Sequence, residues 1–186
     1  MISVPEAKLH LRLISSLDEA EDYTDEDTLI ENLIKAAYRY AEEETRTTLE
    51  RRTRTLVLDA FPSGKRALEL PWTPVEAVES LEYIAPDGVE QSLDVEPLRL
   101  DTRPIYPLLA PQWGSEWPAT TDEPECITIS VTAGHEKLPG DIRAALLLLI
   151  GHLYENRESV VIGTISSEVP MGVAMLLAPH KIHAVG

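Results

Sequence analysis

The sequence predicts an α+β fold: two main helices, plus short N- and C-terminal helices, around a mostly antiparallel β region inserted between the long helices. Three observations predict it. Apolar residues recur at helical spacing in Leu29, Ile30, Leu33, Ile34, Ala37, Tyr38 and Ala41, the stripe of a helix with one buried face. A second stripe runs through Ile142, Ala145, Leu146, Leu149 and Leu153, and Leu147, Leu148 and Ile150 extend apolar character almost all round. Such a helix is either central to a fold or shared with another subunit. Between the two, short β-type runs alternate with proline and glycine turns.

The first element starts at Ser3. Ser3 can cap it, Pro5 is tolerated in a first turn because its missing N–H would be unpaired there, and Glu6 sits where a capping box needs it. Leu9 and Leu13 share a face, so a helix is expected over 4–13. Residues 18–23 are acidic and poor in large apolar side chains and read as a loop. Thr24 is the expected cap of a helix over 25–49, with Asp25, Glu26 and Asp27 complementing its positive end. The outer face carries Glu31, Lys35, Arg39, Glu42 and Glu43, and Arg46, Arg51, Arg52 and Arg54 gather at and beyond the C-terminal end.

The β region is expected over 53–133. Its runs lie at 55–59, 67–70, 78–84, 91–95, 98–100 and 127–131, divided by turns at Pro62-Ser63-Gly64, Pro71-Trp72-Thr73-Pro74 and Pro86-Asp87-Gly88, whose residues suit turn geometry. Residues 85–89 form the clearest hairpin. The stretch 104–124 holds five prolines with Trp113 and Trp117 and reads as a long loop over the sheet. Leu138-Pro139-Gly140-Asp141 then opens the second long helix, expected over 140–157. Residues 158–170 are β-branched and read as a mobile segment. A short helix over 171–178 stops at Pro179, and 180–186 read as a tail, so residues 1–179 are expected to form a single domain.

Composition excludes several classes. Lys and Arg number 16 against 32 Asp and Glu, a formal charge of −16 over 186 residues. The local balance is +1 for 1–16, −9 for 17–50, −7 for 51–134 and −1 for 135–186. That argues against binding nucleic acid by phosphate neutralisation, which needs clustered Lys and Arg. A solvated acidic helix that keeps the protein soluble explains the charge equally simply. The longest apolar run, 144–151, falls far short of the roughly 20 residues of a membrane span. The N-terminal residues lack the basic start and apolar stretch of a secretory signal. Cys126 stands alone, so no intramolecular disulfide and no cysteine zinc site is expected, and the chain reads as reduced and cytosolic.

No catalytic constellation emerges. His152 and Glu155 have i, i+3 spacing and could reach one ion, but two ligands are too few for a metal site. His152 reads better as a residue at the edge of the core that bonds a neighbour. His180 and His183 lie in a tail that need not fold back. There is no G-x-S-x-G, H-E-x-x-H, Walker or G-x-G-x-x-G pattern, and the acids around Asp25 read as a solvated first turn. No metal and no cofactor is expected. Cys126 reads as a small buried hydrophobe opening a strand. Trp72, Trp113 and Trp117 either plug the ends of the sheet or meet a partner subunit, where tryptophan is enriched.

The order of elements and their local wording carry further. Pro5-Glu6-Ala7-Lys8-Leu9-His10-Leu11-Arg12 is followed by Asp27-Thr28-Leu29-Ile30 and Ala36-Ala37-Tyr38-Arg39-Tyr40-Ala41-Glu42, then by Leu70-Pro71-Trp72-Thr73-Pro74-Val75 and Tyr83-Ile84-Ala85-Pro86-Asp87-Gly88. Trp117-Pro118-Ala119 and Val131-Thr132-Ala133-Gly134 precede the helix that ends His152-Leu153-Tyr154-Glu155-Asn156-Arg157-Glu158, with Val160-Val161-Ile162-Gly163-Thr164 after it. From about residue 4 to 179 this resembles the head–tail connector (adaptor) family of long-tailed double-stranded DNA phages, prophages and gene transfer agents. Its most specific part is Tyr154-Glu155-Asn156-Arg157-Glu158 and the valine-rich stretch beyond.

The resemblance implies a structural virion protein at the head–tail junction, made in the host cytoplasm. It would form a ring of about twelve copies below the portal, extend the DNA channel and present a surface to a stopper or next connector protein. The implied portal or subunit contacts are Tyr154, Glu155, Asn156, Arg157, Val160, Val161, Ile162, Ile165 and Val169, with Met171, Leu176 and Leu177 behind them. A β-branched segment too short to fold alone suits ordering on docking. Glu42, Glu43 and Glu44 are candidate channel-facing acids, because like charge lets DNA pass without specific binding. Other classes compatible with the same residues are another head-completion or tail-terminator ring protein, a host-protein binding module, and a divergent enzyme or metal-binding protein.

Overall fold

Ser3 caps the first helix, α1 (Val4–His10), its Oγ accepting from the Glu6 N–H at 3.3 Å. The box is not closed by Glu6, whose carboxylate instead reaches Arg143 at 2.5 Å. The helix is shorter than the expected 4–13, and Leu13 N–H returns to the Lys8 carbonyl beyond its end. The structure, a computed structural model, describes residues 1–156 and 170–182. The chain divides into two compact units, one formed by Met1–Leu49 with the described residues from Lys137 onward, the other by Glu50–Glu136.

In the first unit, the loop expected over 18–23 contains a 3-10 turn, Leu17–Glu21, with Ala20 buried. It is held by a charged group that the acidic composition of the stretch does not reveal. Lys8 is fully buried; its Nζ donates to the carbonyls of Ala20, at 2.9 Å, and Tyr23, and pairs with Asp27 Oδ1 at 2.6 Å.

The main helix α2 spans Asp27–Thr45, where 25–49 was expected. Thr24 does not cap it; its carbonyl accepts from Asp27 N–H, and the cap position falls to Glu26 without a side-chain bond. The helix stops early because Thr45 turns its hydroxyl onto the Ala41 carbonyl at 2.7 Å and Arg46 takes a left-handed backbone, φ 58°. Threonine competes with the helix for its own backbone groups. Leu49 is nonetheless buried, its N–H donating to Glu42 Oε1 at 2.9 Å. The second long helix, α3, spans Gly140–Glu155, and α4 spans Met171–Leu177, followed by a 3-10 turn, Ala178–His180. Ile30, Ile34, Ala37 and Ala41 of α2 meet Ile142, Ala145, Leu146, Leu149 and Ile150 of α3 in one core, with Ile2 and Ala7 from the N-terminal segment and Val173 and Leu177 from α4.

The second unit is an all-β insertion between α2 and α3 in chain order. Its larger sheet runs β1 (Arg52–Leu58), β7 (Ile127–Ala133), β3 (Val75–Ile84), β4 (Glu90–Leu93) from edge to edge, antiparallel throughout. A smaller sheet runs β2 (Leu68–Glu69), β6 (Leu108–Ala110), β5 (Arg99–Asp101). The hairpin at 85–89 forms as its sequence predicts: Ala85 N–H donates to the Val89 carbonyl and Gly88 N–H to the Ala85 carbonyl, both at 2.9 Å. The long loop expected over 104–124 is interrupted by β6, the middle strand of the smaller sheet. Leu68, Leu70 and Leu109 share a core with Leu81, Ile127, Ile129 and Val131, so the two sheets face one apolar interior. Cys126 is buried there, its thiol directed at the Asp59 carbonyl. Thus the fold is α+β as expected, with helices before and after a mostly antiparallel β insertion in chain order.

Candidate functional site

Of the residues expected to make contact, those among the described residues fall at the end of α3 and on α4. Tyr154, in the last turn of α3, donates its hydroxyl to Glu26 Oε2 at 2.5 Å, which orients that turn against the start of α2. Glu155 and Asn156 are exposed, and Asn156 Nδ2 bonds the His152 carbonyl at 2.8 Å with His152 Nδ1 alongside at 3.3 Å. Thus His152 bonds a neighbour, as its position predicts. Arg157, Val160, Val161, Ile162, Ile165 and Val169 lie outside the described residues.

On α4 the structure separates residues that the sequence groups together. Leu177 is 1% exposed and belongs to the core, so it is not available as a contact residue; it sits on the same side of α4 as buried Val173. Leu176 is half-buried, and Met171 is 79% exposed. Met175, one turn from Met171, was missed; its i, i+4 spacing is the signal that could have found it.

The three candidate channel acids each have a partner within the first unit. Glu42 accepts from Leu49 N–H, Glu43 accepts from Arg39 Nε at 3.0 Å, and Glu44 pairs with Lys181 Nζ at 2.5 Å. Burial first, and the Glu44 charge second, push the nearby Tyr40 hydroxyl above its ordinary pKa. The residues after Pro179, read as a tail, return to the helices: Ile182 N–H donates to the Thr45 carbonyl at 2.9 Å and His180 Nε2 lies 2.6 Å from Asp141 Oδ2. The His180 hydrogen bond holds the Asp141 carboxyl below its usual range.

The tryptophans differ in their surroundings. Trp117 plugs the β unit, stacked on Phe61 with centroids 4.8 Å apart and donating Nε1 to the Arg66 carbonyl at 2.8 Å. Trp72 is half-buried beneath the Arg54 guanidinium. Trp113 is 82% exposed, with the Arg99 guanidinium 4.2 Å from its ring centroid. Among the described residues no three His, Cys, Asp or Glu side chains are grouped to hold a metal ion. No helix among them is long and apolar enough to cross a membrane.

This fold has solved counterparts. A chain from the neck of an empty gene transfer agent (GTA) particle computed with C6 symmetry is 28% identical, the match covering 98% of this chain and 91% of that one with a TM-score of 0.74. A chain from the virion of a native GTA particle is also 28% identical at the same coverage, with a TM-score of 0.75. A third, from the neck of a native GTA particle computed with C12 symmetry, shares the fold at 23% identity, covering 100% of this chain and 94% of that one, TM-score 0.70. No family model and no curated protein matches the chain. Over nearly its whole length the chain is thus similar to a chain of a gene transfer agent neck and to one of a gene transfer agent virion, in agreement with the resemblance read from the sequence.

Proposed function

We propose that this chain is a structural neck protein of a tailed phage-like particle, a connector subunit that forms a ring below the portal, extends the DNA channel and joins head to tail. The observation that carries this reading is the likeness, over 98% of the chain at 28% identity, to a component of a GTA neck. The cyclic symmetry of that neck fits a ring, and the −16 charge fits a wall past which DNA moves without being held. No catalytic role is assigned. The partners are the portal, further copies of the chain and a stopper or next connector, at the virion head–tail junction after synthesis in the host cytoplasm.

Within this reading, portal or subunit contact is assigned to Tyr154, Glu155 and Asn156, to the segment carrying Arg157, Val160, Val161, Ile162, Ile165 and Val169, and to Met171 and Leu176. Glu43 is the foremost channel acid, since of the three it is the exposed one and its Arg39 pair lies at the surface, whereas Glu42 and Glu44 are half-buried against Leu49 and Lys181. Replacing Glu42, Glu43 and Glu44 by glutamine should slow DNA release from particles, and unchanged release removes the channel role.

Electron microscopy of particles from an in-frame deletion tests the reading as a whole. Filled or empty heads beside separate, complete tails are expected. Normally joined particles would overturn it.

A further inference from the structure

Two contacts fix how α4 lies on α3. A side-chain carbon placed at Gly172 would stand 3.8 Å from Leu148 Cδ1, midway along α3, and farther along His180 meets Asp141 in the first turn of α3. The two helices therefore run antiparallel. Val173 and Leu177 face inward. Met171 and Met175 share the outer face, 79% and 69% exposed, and beside them Leu148 is 43% exposed with Ala144 one turn before it. The result is a ridge of bulky apolar side chains set among small ones, Ala144, Gly172 and Ala174, on helices whose other faces are fixed in the core.

The ridge is uncharged. Residues 171–178 and 144–151 contain no Asp, Glu, Lys or Arg, in a chain that is 26% charged. An exposed helical face normally carries charge, and clustered apolar exposure marks an interaction surface. From this we infer that the α3–α4 ridge is where one copy of the chain meets the next in the ring, an inference that rests on the neck reading above. The charge identifies the occupant. Copies that each carry −16 repel one another and can come together across a face free of charge, whereas a basic partner would be met by the acidic surfaces this chain has in abundance. Cyclic symmetry makes the contact heterologous, so the ridge meets a different surface of the neighbour. Methionine side chains, being flexible, suit a contact repeated around a ring.

The test uses the full chain in assembled particles. A photo-crosslinking phenylalanine analogue is placed at Met175, with the exposed α2 residue Glu31 as control. On irradiation, the Met175 position should give a ladder of multiples of this chain's own mass, at least about tenfold stronger than the Glu31 position. A Met175 product with another virion protein would overturn the inference, as would no product from particles that contain the chain. Particles of the unsubstituted strain that lack the chain would overturn the neck reading itself, a result distinguishable from both. As a second arm, Leu148→Glu with Met175→Glu should cut incorporation into particles by about tenfold or more, the scale of losing one or two buried apolar side chains, while the purified variant melts as the parent does. Unchanged incorporation overturns the inference.

Discussion

Tyr154 and Glu26, 128 residues apart, share a hydrogen bond of 2.5 Å, and Tyr23 donates to the same carboxylate oxygen at 3.0 Å. One carboxylate thus joins the last turn of α3, the first turn of α2 and the segment before it. Bonds to an ionised acceptor are the stronger kind. Tyr154→Phe keeps the ring and deletes the donor, so it should cost about 1–2 kcal/mol in urea unfolding. Amide exchange at residues 150–156 should quicken. An unchanged midpoint with unchanged exchange would show that the bond does not hold the turn.

The buried ammonium of Lys8 has a larger role. It satisfies two carbonyls and a carboxylate at once, so removing it leaves the Ala20 and Tyr23 oxygens without their donor and Asp27 without its cation. Lys8→Met, close in volume, should destabilise the chain by about 2–4 kcal/mol. Denaturant titration reads this directly, and a loss under about 0.5 kcal/mol, the size of an ordinary surface change, would show that the ammonium is not needed.

Why Lys8 escaped the sequence reading is a physical matter. A lysine in a short amphipathic helix looks solvated, and nothing local signals that a 3-10 turn will close over it. The stripes of α2 and α3 were legible because helical periodicity survives without knowledge of the partner, and the 85–89 hairpin because Pro86-Asp87-Gly88 encodes its turn. β6 was not, since three residues between Pro107 and Pro111 are too few to show a period. On α4 every residue is apolar, so no polar marker told the buried side from the exposed one. Leu177 was grouped with the contact residues and Met175 overlooked for that one reason. The contact residues beyond Asn156 came from local wording, not geometry.

The His180–Asp141 pair gives the acid limb of stability a definite shape. Its hydrogen bond lowers the Asp141 pKa. The contribution is therefore fully present above the ordinary carboxylate value and is lost as pH falls through that value and then through the lowered one. Asp141→Asn lacks this contribution at every pH. Parent and variant should differ by a steady amount above the ordinary carboxylate value of about 4 and converge as the pH falls through the lowered one, as measured by chemical unfolding at a series of pH values. A gap that stays constant across the series would mean that the ionised carboxylate is not what stabilises the pair.

Gly134 closes the β unit where its two chain ends come together. Its φ is +110°, and a Cβ there would stand 2.3 Å from the Glu50 carbonyl oxygen and 2.7 Å from Arg51 N. Glu50 and His135 form a parallel bridge beside it, and Gly134 N–H donates to the Pro74 carbonyl at 2.9 Å. The close approach is between backbone atoms, so no flexible side chain can move aside. Gly134→Ala therefore adds backbone strain to a steric overlap, each worth about 1–3 kcal/mol, and should cost about 3–5 kcal/mol in all. Gly88→Ala is the comparison, because its φ is +80° but no atom lies within 4 Å of the new carbon. It incurs the strain without the overlap and should lose less. Equal losses for the two variants would show that backbone conformation alone, and not the approach of Glu50, makes glycine necessary at position 134.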